Sequence, residues 1–93
     1  MIKENSYFDA QVKSLAFRQD DGESSVGVML PGTYQFGTGK PEKMTVVKGE
    51  LIVKREGEQE WASFKAGDAF NVTGDSFFDV EVKVATAYLC EYL

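Results

Sequence analysis

Short stretches of alternating apolar and polar residues run along most of this chain. In Phe78-Asp79-Val80-Glu81-Val82-Lys83-Val84 every even position is apolar and every odd one charged. A period of two sets one face on a core and the other in water, which predicts a strand. The pattern resumes in the last segment, with Ala87 and Leu89 on one face and Tyr88, Cys90 and Tyr92 on the other. Leu51-Ile52-Val53 is apolar throughout and predicts a strand covered on both sides. Gly22, Gly32, Gly39, Gly49, Gly57, Gly67 and Gly74 recur every 7 to 10 residues, most beside Asp, Pro, Ser or Glu. Turn signals at this spacing mark an all-β sandwich or barrel. Strands are predicted at 11–18, 24–30, 33–38, 43–48, 50–56, 60–65, 68–73, 76–83 and 86–92, and no window keeps a helical period. The polar stretch Lys54–Glu60 reads as a solvated hairpin tip. Nine short strands in one open layer would expose edges. Closing the sheet removes them, so the expectation is an antiparallel β-barrel.

Composition sharpens that picture. Val, Ile, Phe, Tyr, Trp and Thr fill 29 positions against five Leu and seven Ala, a balance that suits pleated sheets better than long helices. The 93 residues make one domain, 1–93, with room for one core. A chain this short buries only about two-thirds of its unfolded surface, so a homodimer that buries more is expected. Fifteen acids against ten bases, net −5, argue against a nucleic-acid polymer as partner. The segment Met1–Ser6 lacks the apolar run of a signal peptide, and the longest unbroken apolar run, Ala87–Cys90, is too short for a bilayer, so the expectation is a soluble cytoplasmic protein.

The most consequential count is zero histidine. It removes Ser-His-Asp and Cys-His nucleophilic arrangements and the common zinc and non-haem iron sites. Cys90 is the single cysteine, so neither a disulfide within the chain nor a cysteine metal site is possible, and it reads as a small buried hydrophobe. No acidic cluster has ligand spacing, and no Gly-rich phosphate loop leads into a helix. No metal and no cofactor are expected.

Glu42, followed by six residues and then Gly49, fits the second half of the first cupin motif, and Ala66-Gly67-Asp68-Ala69-Phe70-Asn71-Val72-Thr73-Gly74 fits the start of the second. A closer resemblance runs nearly end to end, through Asn5-Ser6-Tyr7-Phe8, Ser25-Val26-Gly27-Val28-Met29, Tyr34-Gln35-Phe36, Pro41-Glu42-Lys43-Met44-Thr45-Val46, Trp61, Phe70-Asn71-Val72 and Tyr88-Leu89-Cys90-Glu91-Tyr92. On these residues the sequence resembles the pyrimidine/purine nucleoside phosphorylase family, small single-domain cupins. The resemblance implies a jelly-roll-like cupin fold. It also implies a broad-specificity pentosyltransferase, which cleaves purine and pyrimidine nucleosides with inorganic phosphate as co-substrate to free base and α-D-ribose 1-phosphate. Two positions depart from the family: Val72-Thr73-Gly74 stands where Val-Pro-Gly is usual, and Glu91 stands where a base is frequent.

Such a reaction passes through an oxocarbenium-like sugar, so a site must grip the flat base, place phosphate against C1′ and ease the base away. Stacking, worth about 1–3 kcal/mol per base, tolerates any base. Tyr34, Phe36 and Thr38 share one strand face, and Phe70, Phe78 and Tyr88 are expected at the same cavity; the plain alternative for each ring is core packing. Glu42 is the sharpest polar candidate, as an acid toward the leaving base or a ligand of ribose hydroxyls, against a rim carboxylate paired with Lys43 or Lys40. Thr45 and Asn71 offer uncharged hydrogen bonds. Lys13, Arg18, Lys48 and Arg55 are the strand-borne bases from which a phosphate site could draw. Two rival readings stay open: a non-catalytic cupin that binds a nucleotide or sugar, and a dimerisation module whose interior is filled. The second requires a packed interior, whereas the phosphorylase and the binding protein require an open one.

Overall fold

The computed structural model describes residues 1–93, and every regular element in it is a strand. The ten strands are β1 Lys3–Tyr7, β2 Val12–Gln19, β3 Gly22–Met29, β4 Gly32–Thr38, β5 Glu42–Lys48, β6 Glu50–Arg55, β7 Ala62–Lys65, β8 Ala69–Val72, β9 Ser76–Val82 and β10 Thr86–Tyr92. Nine of them fall where the glycine-bounded segments predict them. The addition is β1, an edge strand of polar residues whose pairing with β2 gave no alternation to read.

The strands form two antiparallel sheets, one of six in the order β1-β2-β3-β10-β5-β8 and one of four in the order β4-β9-β6-β7. No ladder joins the two sheets, so the expected closed barrel is replaced by two layers with edges at β1, β8, β4 and β7. The reason is long-range pairing. The C-terminal strand β10 inserts between β3 and β5 and completes one layer, while β9 bridges β4 and β6 in the other.

The core lies between the layers. Val12, Met29, Met44, Val46, Phe70, Val72, Tyr88 and Cys90 enter it from the six-stranded sheet, and Tyr34, Leu51, Val53, Phe78, Val80 and Val82 from the four-stranded one. Each alternates with an outward neighbour, as the two-residue period requires. Two turns depend on glycine: Gly49 between β5 and β6 has φ +105°, and Gly67 between β7 and β8 has φ +91°. Thr86, fully buried, ties the first of these to the β9–β10 turn, because its Oγ1 accepts from Glu50 N at 3.1 Å and donates to Val84 O at 2.7 Å.

The β1–β2 connection is built differently. Phe8, Asp9 and Ala10 have φ of 54°, 54° and 66°, three consecutive non-glycine residues in the left-handed region. Such residues are held there at a cost of about 1 kcal/mol or more each, so surrounding contacts must hold them. Phe8 supplies these, with its ring 5.0 Å from Tyr34 and 5.5 Å, edge-on, from Phe36. The hairpin folds over one end of the sandwich, above the site described next.

Candidate functional site

At that end the two layers separate around an open cavity of about 260 Å³. The six-stranded sheet supplies its polar side. On the inward face Ser25, Cys90 and Met44 stand opposite one another across β3, β10 and β5, with Tyr92 opposite Glu42 one step further along. Ser14 and Tyr88 complete this wall, and Tyr7 of β1 closes its edge. The four-stranded sheet supplies the apolar side, where Phe36 and Phe78 stack at 5.5 Å and 27°. Gln35 lies at this wall with its Nε2 donating to Asp79 Oδ1 at 2.9 Å.

A close backbone approach makes room for Tyr88. A Cβ on Gly27 would lie 2.5 Å from the Tyr88 hydroxyl and 2.8 Å from the Lys13 carbonyl oxygen, so glycine at this position lets the ring lie across β3.

The electrostatics favour neutral groups. Burial raises Glu42 above the ordinary carboxyl range, and the Cys90 thiol, donating to Glu42 Oε1 at 3.3 Å, partly opposes that rise. Burial likewise pushes the Cys90 thiol up, and the Glu42 carboxylate beside it pushes further. Cys90 therefore stays a thiol and serves as a donor, not a nucleophile. Burial raises Tyr88 and carries Tyr92 up to about 12, so both stay phenols. The wall thus offers one carboxyl group, one thiol and the hydroxyls of Ser14, Ser25, Tyr7, Tyr88 and Tyr92.

Of the nine residues proposed from sequence, Glu42, Phe36, Phe78 and Tyr88 line this cavity. Three others are core or clip residues. Tyr34 donates its hydroxyl to Leu30 O at 2.5 Å, and Phe70 packs between Phe64 and Phe78 at 4.6 and 6.1 Å. Thr38 Oγ1 donates to Thr73 O at 2.7 Å and accepts from Ser76 N at 3.0 Å. Thr45 and Asn71 face the other way: their inward neighbours are Met44, Val46, Phe70 and Val72, so alternation directs both to the outer side of the six-stranded sheet.

Neither do the four strand-borne bases reach the cavity. Lys13 lies on the outer face, 3.5 Å from Glu4, and Arg18 and Lys48 are exposed at strand ends. Arg55 is not part of a free polar tip: its guanidinium is bound to Glu58 at 2.9 Å and to the Asn71 carbonyl at 2.9 Å. The base that does lie close is Lys40, in a side cleft with Glu23 and Gly39 that shares Glu42 and Tyr92 with the cavity. Both departures from the family pattern find a place. Thr73 lacks the rigidity of proline, but the turn is held by the Thr38 clip and by Asp75 N donating to Gly39 O at 3.0 Å. Glu91 pairs in register with Lys43 on the outer face, so a base at that position would not reach the cavity.

The sequence reading missed Tyr7, Ser14, Ser25, Cys90 and Tyr92 as site residues. Ser14 and Ser25 were detectable, as polar residues in the phase of Val12 and Met29.

Comparison with known proteins bears on the family and the fold. Residues 2–92 match the family model for pyrimidine/purine nucleoside phosphorylase. A curated Vibrio vulnificus protein named pyrimidine/purine nucleoside phosphorylase is 67% identical over 93 residues, covering the whole of both chains. The crystal structure of a Vibrio parahaemolyticus protein of unknown function superimposes with a TM-score of 0.97 at 61% identity, covering 100% of this chain and 99% of that one. For the fold alone, the cupin domain of Drosophila melanogaster CENP-C matches with a TM-score of 0.76 at 13% identity, over 99% of this chain and 75% of that one. With a family model matched across nearly its whole length and relatives identical at two positions in three, this chain belongs to the pyrimidine/purine nucleoside phosphorylase family.

Proposed function

We infer that this chain is a broad-specificity nucleoside phosphorylase that transfers the pentose of purine and pyrimidine nucleosides to inorganic phosphate. The observation that carries the reading is one cavity with an aromatic wall facing a wall of neutral donors around a half-buried carboxyl group. An open cavity of about 260 Å³ also argues against a filled dimerisation module.

The base would rest against Phe36 and Phe78, where stacking on a ring gives about 1–3 kcal/mol without reading the base edge. The ribose hydroxyls would face Ser14, Ser25 and the tyrosines. Glu42, whose proton affinity is raised by burial, would donate its proton to the departing base as the C1′–N bond breaks and its electron pair stays on nitrogen. A phosphate oxygen would form the new C1′–O bond from the opposite face of the sugar, giving α-ribose 1-phosphate from a β-nucleoside. Phosphate would be met by hydroxyl donors and by Lys40 from the side cleft. We propose that no metal or cofactor takes part: the cavity presents one carboxyl group and one thiol, and no three His, Cys, Asp or Glu residues converge. We also place the protein in the cytoplasm, where the free thiol of Cys90 would stay reduced, and take its working form to be a homodimer.

The test is to incubate pure protein with phosphate and, separately, uridine, inosine and adenosine, and to measure free base and pentose 1-phosphate. Base release that requires phosphate is expected for all three. Base release without phosphate, or none at high enzyme concentration, would overturn the reading.

A further inference from the structure

Tyr7 lines the cavity from a strand that takes no part in the core. In the β1–β2 ladder it stands opposite Val12, and Asn5 stands opposite Ser14. Directly opposed residues point to the same side of a sheet, so Tyr7 points inward with Val12. Val12 is 0% exposed, whereas Tyr7 is 44% exposed, because β1 is the outermost strand and contributes no residue to the core. The Tyr7 ring lies edge-on to Phe36, with centroids 6.4 Å apart at 85°. Its phenol is near those of Tyr88 and Tyr92 and helps to raise both. A polar edge strand has no packing use for a half-exposed ring of this size.

We propose that Tyr7 is a substrate-binding residue, which turns face-on to Phe36 and closes the second side of a slot for the nucleoside base. The inference rests on the nucleoside reading above. Contact at about 3.5 Å on each side of a base sets two parallel rings about 7 Å apart. From 6.4 Å and 85° that takes a quarter-turn of Tyr7 and a widening of about half an ångström. The fold permits both, since β1 pairs with β2 alone and none of its residues is buried. The neighbouring Phe8 stays anchored. Its ring packs on Tyr34 and Phe36, and its carbonyl accepts from Gln11 N at 3.1 Å, so the movement is confined to Tyr7 and the strand before it. As the ring covers the base, its hydroxyl stays beside Tyr88 and Tyr92, on the side left to the ribose. A slot closed by rings on both faces reads the area of the base and not its edge, so it holds purines more strongly than pyrimidines. Tyr7 thus sets a preference within a broad specificity.

Binding without turnover tests this separately from the reaction. Inosine and uridine are titrated calorimetrically into the full chain with no phosphate present. Tyr7→Ala is expected to weaken inosine about tenfold and uridine clearly less, while Tyr7→Phe, which keeps the ring, stays within about threefold of wild type for both. In phosphorolysis Tyr7→Ala should raise KM for inosine and leave kcat unchanged, as the loss of uniform binding does. A merely structural role would lower kcat and Tm and weaken both nucleosides alike. Should Tyr7→Ala fail to fold, Tyr7→Leu, which keeps apolar bulk without a flat face, serves instead with the same expected losses. Equal inosine affinity in the variant and the wild type overturns the proposal. So does an equal loss for the two nucleosides, or a wild type that binds neither. Binding that needs the Tyr7 ring, in a protein that releases no base with phosphate, would keep the slot and remove the phosphorylase reading.

Discussion

The Cys90 thiol donates to Glu42 Oε1 at 3.3 Å, across a diagonal of the β5–β10 ladder in which each residue directly opposes another partner, Met44 and Tyr92. Both groups are raised by burial, so the same desolvation favours the protonated form of each. On the proposed reaction, protonated Glu42 is the acid that would meet the leaving base, with the Cys90 thiol as its donor.

The first prediction concerns that acid. Glu42→Gln keeps the shape of a protonated carboxyl but has no proton to transfer, so kcat/KM for inosine should fall by about 10²-fold or more. Steady-state kinetics check this, and an unchanged rate would remove Glu42 from catalysis. Stability should change in a pH-dependent way. The folded pKa of Glu42 lies above its unfolded value, so its contribution is complete below the ordinary carboxyl range and is lost as pH rises through the raised pKa. Thermal melts of the wild type against Glu42→Gln should therefore converge at low pH. As pH rises, the wild type should lose stability that the variant keeps.

The thiol should tune that acid. Cys90 is the one group that lowers Glu42, so Cys90→Ala should move the alkaline limb of the rate–pH profile to higher pH, while Cys90→Ser, which restores a donor, should move it back. A limb in the same place in Cys90→Ala and wild type would show that the contact does not set the proton affinity of Glu42. The wild-type thiol should also react slowly with iodoacetamide at neutral pH, because it is buried and its thiolate is disfavoured.

The left-handed β1–β2 turn offers a gain in stability. Ala10 sits at φ +66° without the freedom of glycine, so Ala10→Gly should relieve strain of about 1 kcal/mol, partly offset by the greater entropy of the unfolded chain. A rise in Tm of a few degrees is expected. A fall would mean that the turn is held by contacts of the alanine methyl.

Much of this was legible in the sequence, and the exceptions have local causes. The alternation in Phe78–Val82 and Tyr88–Tyr92 gave both strands and their faces, and Glu42 came from motif spacing. The same alternation, applied to Met44-Thr45-Val46 and Phe70-Asn71-Val72, assigns Thr45 and Asn71 to the outer face, so their placement at the site conflicted with a signal already present. Strand β1 was hidden because it has no buried face, and Tyr7 was missed with it. The separation into two layers was not legible, since it rests on β10 meeting β3 and β5 from the far end of the chain. Local patterns define strands but not their partners.

Gly27 links packing to the site and gives the last prediction. Its Cβ in Gly27→Ala would lie 2.5 Å from the Tyr88 hydroxyl, 2.6 Å from the ring carbon that bears it and 2.8 Å from Lys13 O, so the ring must leave its place across β3. Overpacking of this kind costs about 1–3 kcal/mol. For a chain of this length each kcal/mol lowers Tm by roughly 4–8 °C. The displaced phenol would enter the cavity, so KM for nucleoside should rise along with the loss of stability. A double-mutant cycle separates the ring from the strand backbone: in a Tyr88→Leu background, where the obstructing ring is absent, Gly27→Ala should cost clearly less than in the wild type. An equal cost in both backgrounds would assign the clash to Lys13 O and leave the placement of Tyr88 independent of Gly27.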